Sequence, residues 1–300
     1  MIYSMRALAG FLLVFSLGAP ALRADELTQK MSARLSEEAE AFLRIAPLVL
    51  GHETLQQKAL KPPPRFRPRV GTAATAPPKD DFQQRTLVSE YGFAMIGSSL
   101  HELRQVTSID GRKVSDPRKA QESLARAIAA KDEQRLKEAL EQLEKHGLRG
   151  AATDFGQLLL LFTRREIEKY EFVARGGDLL NGEPVRVFSY KQVDGPESLT
   201  LVEGDKGGAQ RRFRAEGEIW TRPDFLPLRI TIVASEGTGA AARREEAAVD
   251  YKMSDYGALL PVATAHREIR AGKTTAENLF TYAEFHKFGA SSDIKFVVEK

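Results

Sequence analysis

The stretch that decides the fold is Arg212-Phe-Arg-Ala-Glu-Gly-Glu-Ile-Trp220, followed after a proline-containing break by Leu228-Arg-Ile-Thr-Ile-Val-Ala-Ser235. Successive side chains of a strand point to opposite faces, so a period of two reads as a strand with one dry face. Phe213, Ala215, Gly217 and Ile219 fall on one side of the first run, and Arg212, Arg214, Glu216 and Glu218 on the other. Leu228, Ile230 and Ile232 continue the apolar side in the second run. The two runs together predict one apolar wall, with Ala215 and Gly217 small enough to leave room for whatever packs on it.

The same period extends outward in both directions. Val185 to Lys191 follows the Asn181-Gly182 turn signal, and Ala247 to Ser254, Leu260 to Arg270 and Thr275 to His286 come after it, separated by glycine or proline breaks. Thr86 to Val106 also suits strands, with Tyr91, Phe93 and Met95 alternating, and Asp110-Gly111 closes that region with a further turn signal. Short strands joined by such turns predict an antiparallel sheet that curls or closes. The fold class is therefore α+β: a curled antiparallel sheet packed against helices, with an N-terminal helix and a helical insert.

The helices show the other period. From Asp25 to about Leu50, Leu27, Met31, Leu35, Ala39 and Phe42 recur every three or four residues, and Asp25 is placed to cap the start. Asp116-Pro117 opens the insert, Asp132 restarts it, and a third helix is predicted around Phe155 to Arg165. Residues 60 to 80 combine proline with Arg65, Arg67 and Arg69 and read as an exposed linker. The expected organisation is a leader over 1–24, a helical segment over 25–59, the linker over 60–80 and an α+β domain over 81–300. Within that domain, strands occupy 81–115, the insert 116–167 and the main sheet 168–300.

The leader sets the compartment. Arg6 precedes an apolar run from Ala7 to Leu17, and Ala19-Pro-Ala21 fits a small-residue cleavage signal, with Ala24 as a second position. A spanning helix needs about 20 apolar residues, so no stable transmembrane anchor is expected. With no cysteine anywhere, disulfides, thiolate metal sites and lipid attachment through cysteine are excluded. The expected product is a soluble periplasmic or secreted protein. Its formal charge of +3 includes Arg6 and Arg23 of the leader region, so nothing in the charge points to nucleic acid.

Enzymatic signatures are missing in kind. His101-Glu102 has no second histidine one turn on, and the five histidines are scattered, so no metal or other cofactor is implied. Gly97-Ser-Ser99 is not a nucleophile elbow, and Gly204 to Gly208 reads as a hairpin turn. The chain is expected to bind and not to catalyse.

A family resemblance sharpens that expectation. Gly217-Glu-Ile-Trp220-Thr-Arg-Pro, a Leu-Pro-Leu turn, Arg229-Ile-Thr-Ile-Val, Val249-Asp-Tyr251, Tyr256-Gly-Ala-Leu-Leu-Pro261 and Tyr282-x-x-Phe285-x-x-Phe288 follow one another in order. This succession, over roughly residues 168 to 298, resembles the periplasmic lipoprotein-carrier family and its outer-membrane lipoprotein-sorting relatives, within a group of exported bacterial proteins. The resemblance implies a half-open barrel that cups an acyl chain under helices, and a lipid or lipoprotein as partner. It carries over no functional residue, and the helical insert and linker are not features of the carrier. The wall residues expected to meet a lipophile are Phe213, Ile219, Leu228 and Ile230, with Ile232, Val249 and Tyr251. The alternative is an envelope scaffold or protein-interaction module whose core is fully packed, the insert covering the wall and the linker and N-terminal helix contacting envelope proteins.

Overall fold

The computed structural model describes residues 19–61, 80–152, 154–202 and 210–288. The leader's apolar run, most of the linker and the Gly204–Gly208 turn lie outside these residues. Helix α1 (Ala19–Ile45) leads into β1 (Val49–Leu60), followed by β2 (Phe82–Ile96), β3 (Ser99–Ile109) and the short β4 (Arg112–Lys113). Helices α2 (Pro117–Ala130), α3 (Glu133–Leu140) and α4 (Gln142–His146) come next, and then a 3-10 turn at Leu158–Phe162. The remainder is β5 (Tyr170–Leu180), β6 (Glu183–Gln192), β7 (Leu199–Val202), β8 (Gln210–Phe213), β9 (Glu216–Thr221), β10 (Pro227–Glu236), β11 (Arg243–Met253), β12 (Leu259–Arg270) and β13 (Lys273–Lys287).

Eleven strands form one open antiparallel sheet in the order β4-β3-β2-β1-β13-β12-β11-β10-β9-β6-β5, and β7 and β8 make a separate hairpin. The expected fold class holds, but the segment over 25–59 is not all helix. Helix α1 starts at Ala19, so Asp25 is not its cap, and it ends at Ile45, beyond which β1 lies between β2 and β13. The reason is local: Ala46-Pro47-Leu48 forms a 3-10 turn whose proline lacks the donor a continuing helix needs, and Val49 is extended. Pairing of β1 with β13 joins the two ends of the chain in mid-sheet, with Leu55 opposite Phe280 and Gln57 opposite Asn278.

Turn and cap signals act as their chemistry dictates. Asp110-Gly111 and Asn181-Gly182 both take positive φ at both positions, the requirement of a tight hairpin. The Asp116 carboxylate accepts from the Lys119 N–H, and the Asp132 carboxylate from the Arg135 N–H, which caps α2 and α3. The predicted third helix is reduced to the 3-10 turn, although Phe155, Leu159 and Phe162 do point inward.

The helices divide between the two faces of the sheet. Helix α1 lies on the concave face, where Met31, Leu35 and Phe42 are buried and the Phe42 ring meets Phe93 edge-on, 5.3 Å between centroids. The insert packs on the opposite face, burying Leu124, Ala127, Leu136 and Ala139 against Leu50, Ala94 and Leu103. The wall is thus covered by α1 and by the last segment of the insert, the 3-10 turn, while the insert's helices α2 and α3 pack on the other face.

Candidate functional site

Five of the seven expected wall residues are assembled by the register. Phe188, Ile219, Ile230 and Val249 stand opposite one another in turn across β6, β9, β10 and β11, with Ile232 and Tyr251 one step along their strands. All are buried in one core with α1. Phe213 is not among them. Strand β9 begins only at Glu216, the Ala215 N–H donates to the Gln192 side-chain oxygen, and Phe213 pairs with Leu199 in the small hairpin. Leu228 sits at a register shift between Pro227 and Arg229 and is only half-buried.

The small residues do not leave space. Ala215 is fully buried, and a Cβ at Gly217 would overlap the Thr231 carbonyl oxygen of the next strand. Glycine is required there by the close approach of two backbones.

Space opens elsewhere on the concave face. A cleft of about 1160 Å³ lies between the segment that leads into the 3-10 turn and strands β10 to β12. Its apolar lining includes Leu158, Leu160, Leu161, Leu199 and Ile232. Its polar lining includes Arg243 and Glu245 on β11 and His266, Glu268 and Arg270 on β12, with His266 in the same cross-strand row as Ile232. Of the seven expected residues only Ile232 reaches this cleft.

The polar lining is organised by buried pairing. His266 is 3% exposed, stacks on Phe155 at 5.0 Å, and places Nε2 2.8 Å from a Glu245 oxygen, while the Asn278 amide donates both to His266 Nδ1 and to the Gly150 carbonyl. Since Asn278 donates to Nδ1, the imidazole proton sits on Nε2 and is given to Glu245. Arg243 binds the other Glu245 oxygen through Nε and Nη2, and Arg270 pairs with Glu268. Basic and acidic side chains around the whole cleft nearly balance, so it carries no strong field of one sign.

A second polar cluster holds the far end of the segment. Four donors converge on the Glu102 carboxylate: Tyr91 Oη at 2.8 Å, Gly156 N at 2.7 Å, Asp154 N at 2.8 Å and Arg104 Nη2 at 2.8 Å. Arg104, 2% exposed, also binds both oxygens of Glu53 through Nε, at 2.8 and 3.0 Å. Burial pushes the Glu53 carboxyl above the usual carboxylate range, an effect that Arg104 only partly offsets. Sequence reading missed both clusters, because polar residues at alternate strand positions, such as Glu53 and Gln57, are assigned to solvent by default. Among the described residues no three His, Asp or Glu side chains come together in a metal-binding arrangement, and no helix is long and apolar enough to cross a membrane.

No family model matches the chain, and no curated protein matches it. Among solved structures, an outer membrane lipoprotein-sorting protein domain from Vibrio parahaemolyticus superposes with a TM-score of 0.37 at 12% identity, covering 91% of this chain and 95% of its own. A DUF1329 family protein from Desulfovibrio piger gives 0.36 at 7% identity, with 87% and 95% covered. A LolA superfamily protein from Nitrosomonas europaea gives 0.30 at 9% identity, with 86% and 94% covered. At scores of 0.37 and below, the functional reading rests on this chain's own geometry.

Proposed function

We propose that this protein is an exported, periplasmic, non-enzymatic binder of an acyl-chain amphiphile, a lipid or an acylated protein, seated in the cleft between the 3-10 turn and strands β10 to β12. The observation that carries the reading is the cleft of about 1160 Å³, apolar at Leu158, Leu160, Leu161 and Ile232 and ionic at Arg243, Glu245 and His266. Sites for small molecules are concave, of several hundred Å³, mostly apolar, with a few polar groups that fix orientation. An acyl tail on the leucine side chains gains about 0.8 kcal/mol per buried methylene. A polar head on the ionic side chains meets both signs of charge and needs no net charge of its own. In this reading α1 keeps the wall of Ile219, Ile230, Val249 and Tyr251 dry, and the ligand meets the barrel interior only through Ile232.

The test is extraction of the protein purified from the periplasm with organic solvent, followed by mass spectrometry, together with titration of a fluorescent fatty-acid analogue. A stoichiometric lipid, or saturable probe binding that Leu160→Trp and Leu161→Trp both weaken at least tenfold, is expected. Absence of any lipid together with no saturable probe binding overturns the reading.

A further inference from the structure

Strand β5 ends the sheet, and no strand among the described residues pairs with its outer edge. A long free edge exposes a row of unpaired backbone donors and acceptors that another strand can complete. Natural edges are blunted by charge, proline or bulges. Here the stretch from Tyr170 to Ala174 is regular, and the bulge comes only at Arg175, between Ala174 and Gly176.

The side chains on the convex face of this stretch are Glu171, Val173 and Arg175. Val173 is 53% exposed, an apolar residue at the edge of the sheet, with Glu171 and Arg175 exposed on either side. Arg175 lies on the face of Val173, since its Nε donates to the hydroxyl of Ser189, the residue opposite Val173 on β6. The order acid, apolar, base is self-complementary about its centre. When two copies run antiparallel with Val173 facing Val173, Glu171 of each stands opposite Arg175 of the other. Residues directly opposite across an antiparallel pair share a face and interact, and opposite charges there stabilise while like charges destabilise. A twofold axis through Val173 therefore makes two ion pairs and one apolar contact from a single strand, the geometry of an isologous interface.

We infer that β5 is a self-association edge: two copies of this chain pair β5 to β5 about Val173 and continue the sheet from one copy into the other. The occupant is a second copy and not an unrelated peptide, because the charge order of the edge matches its own reverse. Pairing stops at Arg175, where the bulge and Gly176, at φ +121°, turn the strand away.

The experiment is sedimentation velocity of the purified chain over a concentration series, with Glu171→Arg, Arg175→Glu and the double variant. The wild type is expected to dimerise. Each single substitution should weaken the dimer about tenfold or more by setting like charges opposite each other, and the double variant should recover it, because the swapped order is again self-complementary. Both substituted positions are solvent-exposed, and far-ultraviolet circular dichroism of each variant checks that the fold is kept. A wild type monomeric throughout the series, a dimer indifferent to both single substitutions, or a double variant as weak as the singles each overturns the inference. Ligand binding in the cleft enters none of these readouts, so the outcome is independent of the proposed function.

Discussion

Glu102 and Asp154 hold each other by the backbone: the Glu102 N–H donates to Asp154 Oδ1 at 2.8 Å, and the Asp154 N–H donates to Glu102 Oε2 at 2.8 Å. This reciprocal clasp ties a segment with no regular structure to β3. Asp154 itself takes φ +65°, an uncommon conformation for a residue other than glycine, and the clasp holds it there. Asp154→Ala removes one acceptor and leaves the buried Glu102 N–H without its partner. It is expected to lower stability by about 1–3 kcal/mol and to speed amide exchange at Glu102, read by urea denaturation and hydrogen exchange.

The same carboxylate makes the clasp pH-sensitive. A hydrogen bond that His101 Nδ1 donates to Asp154 Oδ2, at 3.1 Å, holds the imidazolium pKa above its ordinary value of 6.5, against partial burial. A raised folded value means the stabilisation is full below the unfolded value and fades as pH rises through the folded one. The difference in thermal midpoint between wild type and His101→Gln is therefore expected to be larger near about pH 5.5 than near about pH 8.5. An equal difference at both contradicts the assignment.

Arg104 serves two buried carboxylates, and its loss strands both. Arg104→Met is expected to cost about 3–5 kcal/mol, the range for removing one partner of a buried ion pair. Glu53→Gln keeps the shape, leaves Arg104 paired with Glu102, and removes the carboxyl whose charge burial already disfavours. Its cost is expected to stay near about 1–2 kcal/mol in the same urea series.

Wall and cleft separate by mutation. Ile230, fully buried under α1 and absent from the cleft lining, should lose about 2–4 kcal/mol of stability as Ile230→Ala without changing probe affinity. Leu161→Trp, at a partly buried position of the cleft lining, should do the reverse, filling the cleft and weakening the fatty-acid probe while most of the stability remains. If Ile230→Ala alone abolished probe binding, the ligand would sit against the wall.

Gly217→Ala tests the tight approach of β9 and β10. The added methyl meets a backbone carbonyl that cannot swing away, and Thr231 is further held by Tyr190, whose hydroxyl donates to that carbonyl at 2.7 Å. Alanine usually gains over glycine in a strand by restricting the unfolded chain. Here a loss of about 1–3 kcal/mol in denaturant is expected instead.

Local chemistry along the chain is enough to place strands, tight turns and helix starts. The period of two in Phe213 to Val233 marked strands, Asn181-Gly182 and Asp110-Gly111 marked tight turns, and Asp116 and Asp132 marked helix starts, because each signal acts within a few residues. Alternation also put Ile219, Ile230 and Ile232 on one face, and Phe213 and Leu228 with them, which pair or pack elsewhere. What covers that face depends on contacts between segments far apart in the chain. Nothing within α1 or the insert states which side of the sheet it will take, since both carry an ordinary apolar stripe. The pairing of β1 with β13, far apart in the chain, fixes where α1 enters. It is also what turns Glu53, Gln57 and Asn278, polar residues that alternation alone assigns to water, inward to hold the segment beside the cleft. Burial of a polar group depends on partners distant in sequence, so the wall was legible and the clasp, the cleft and its ionic lining were not.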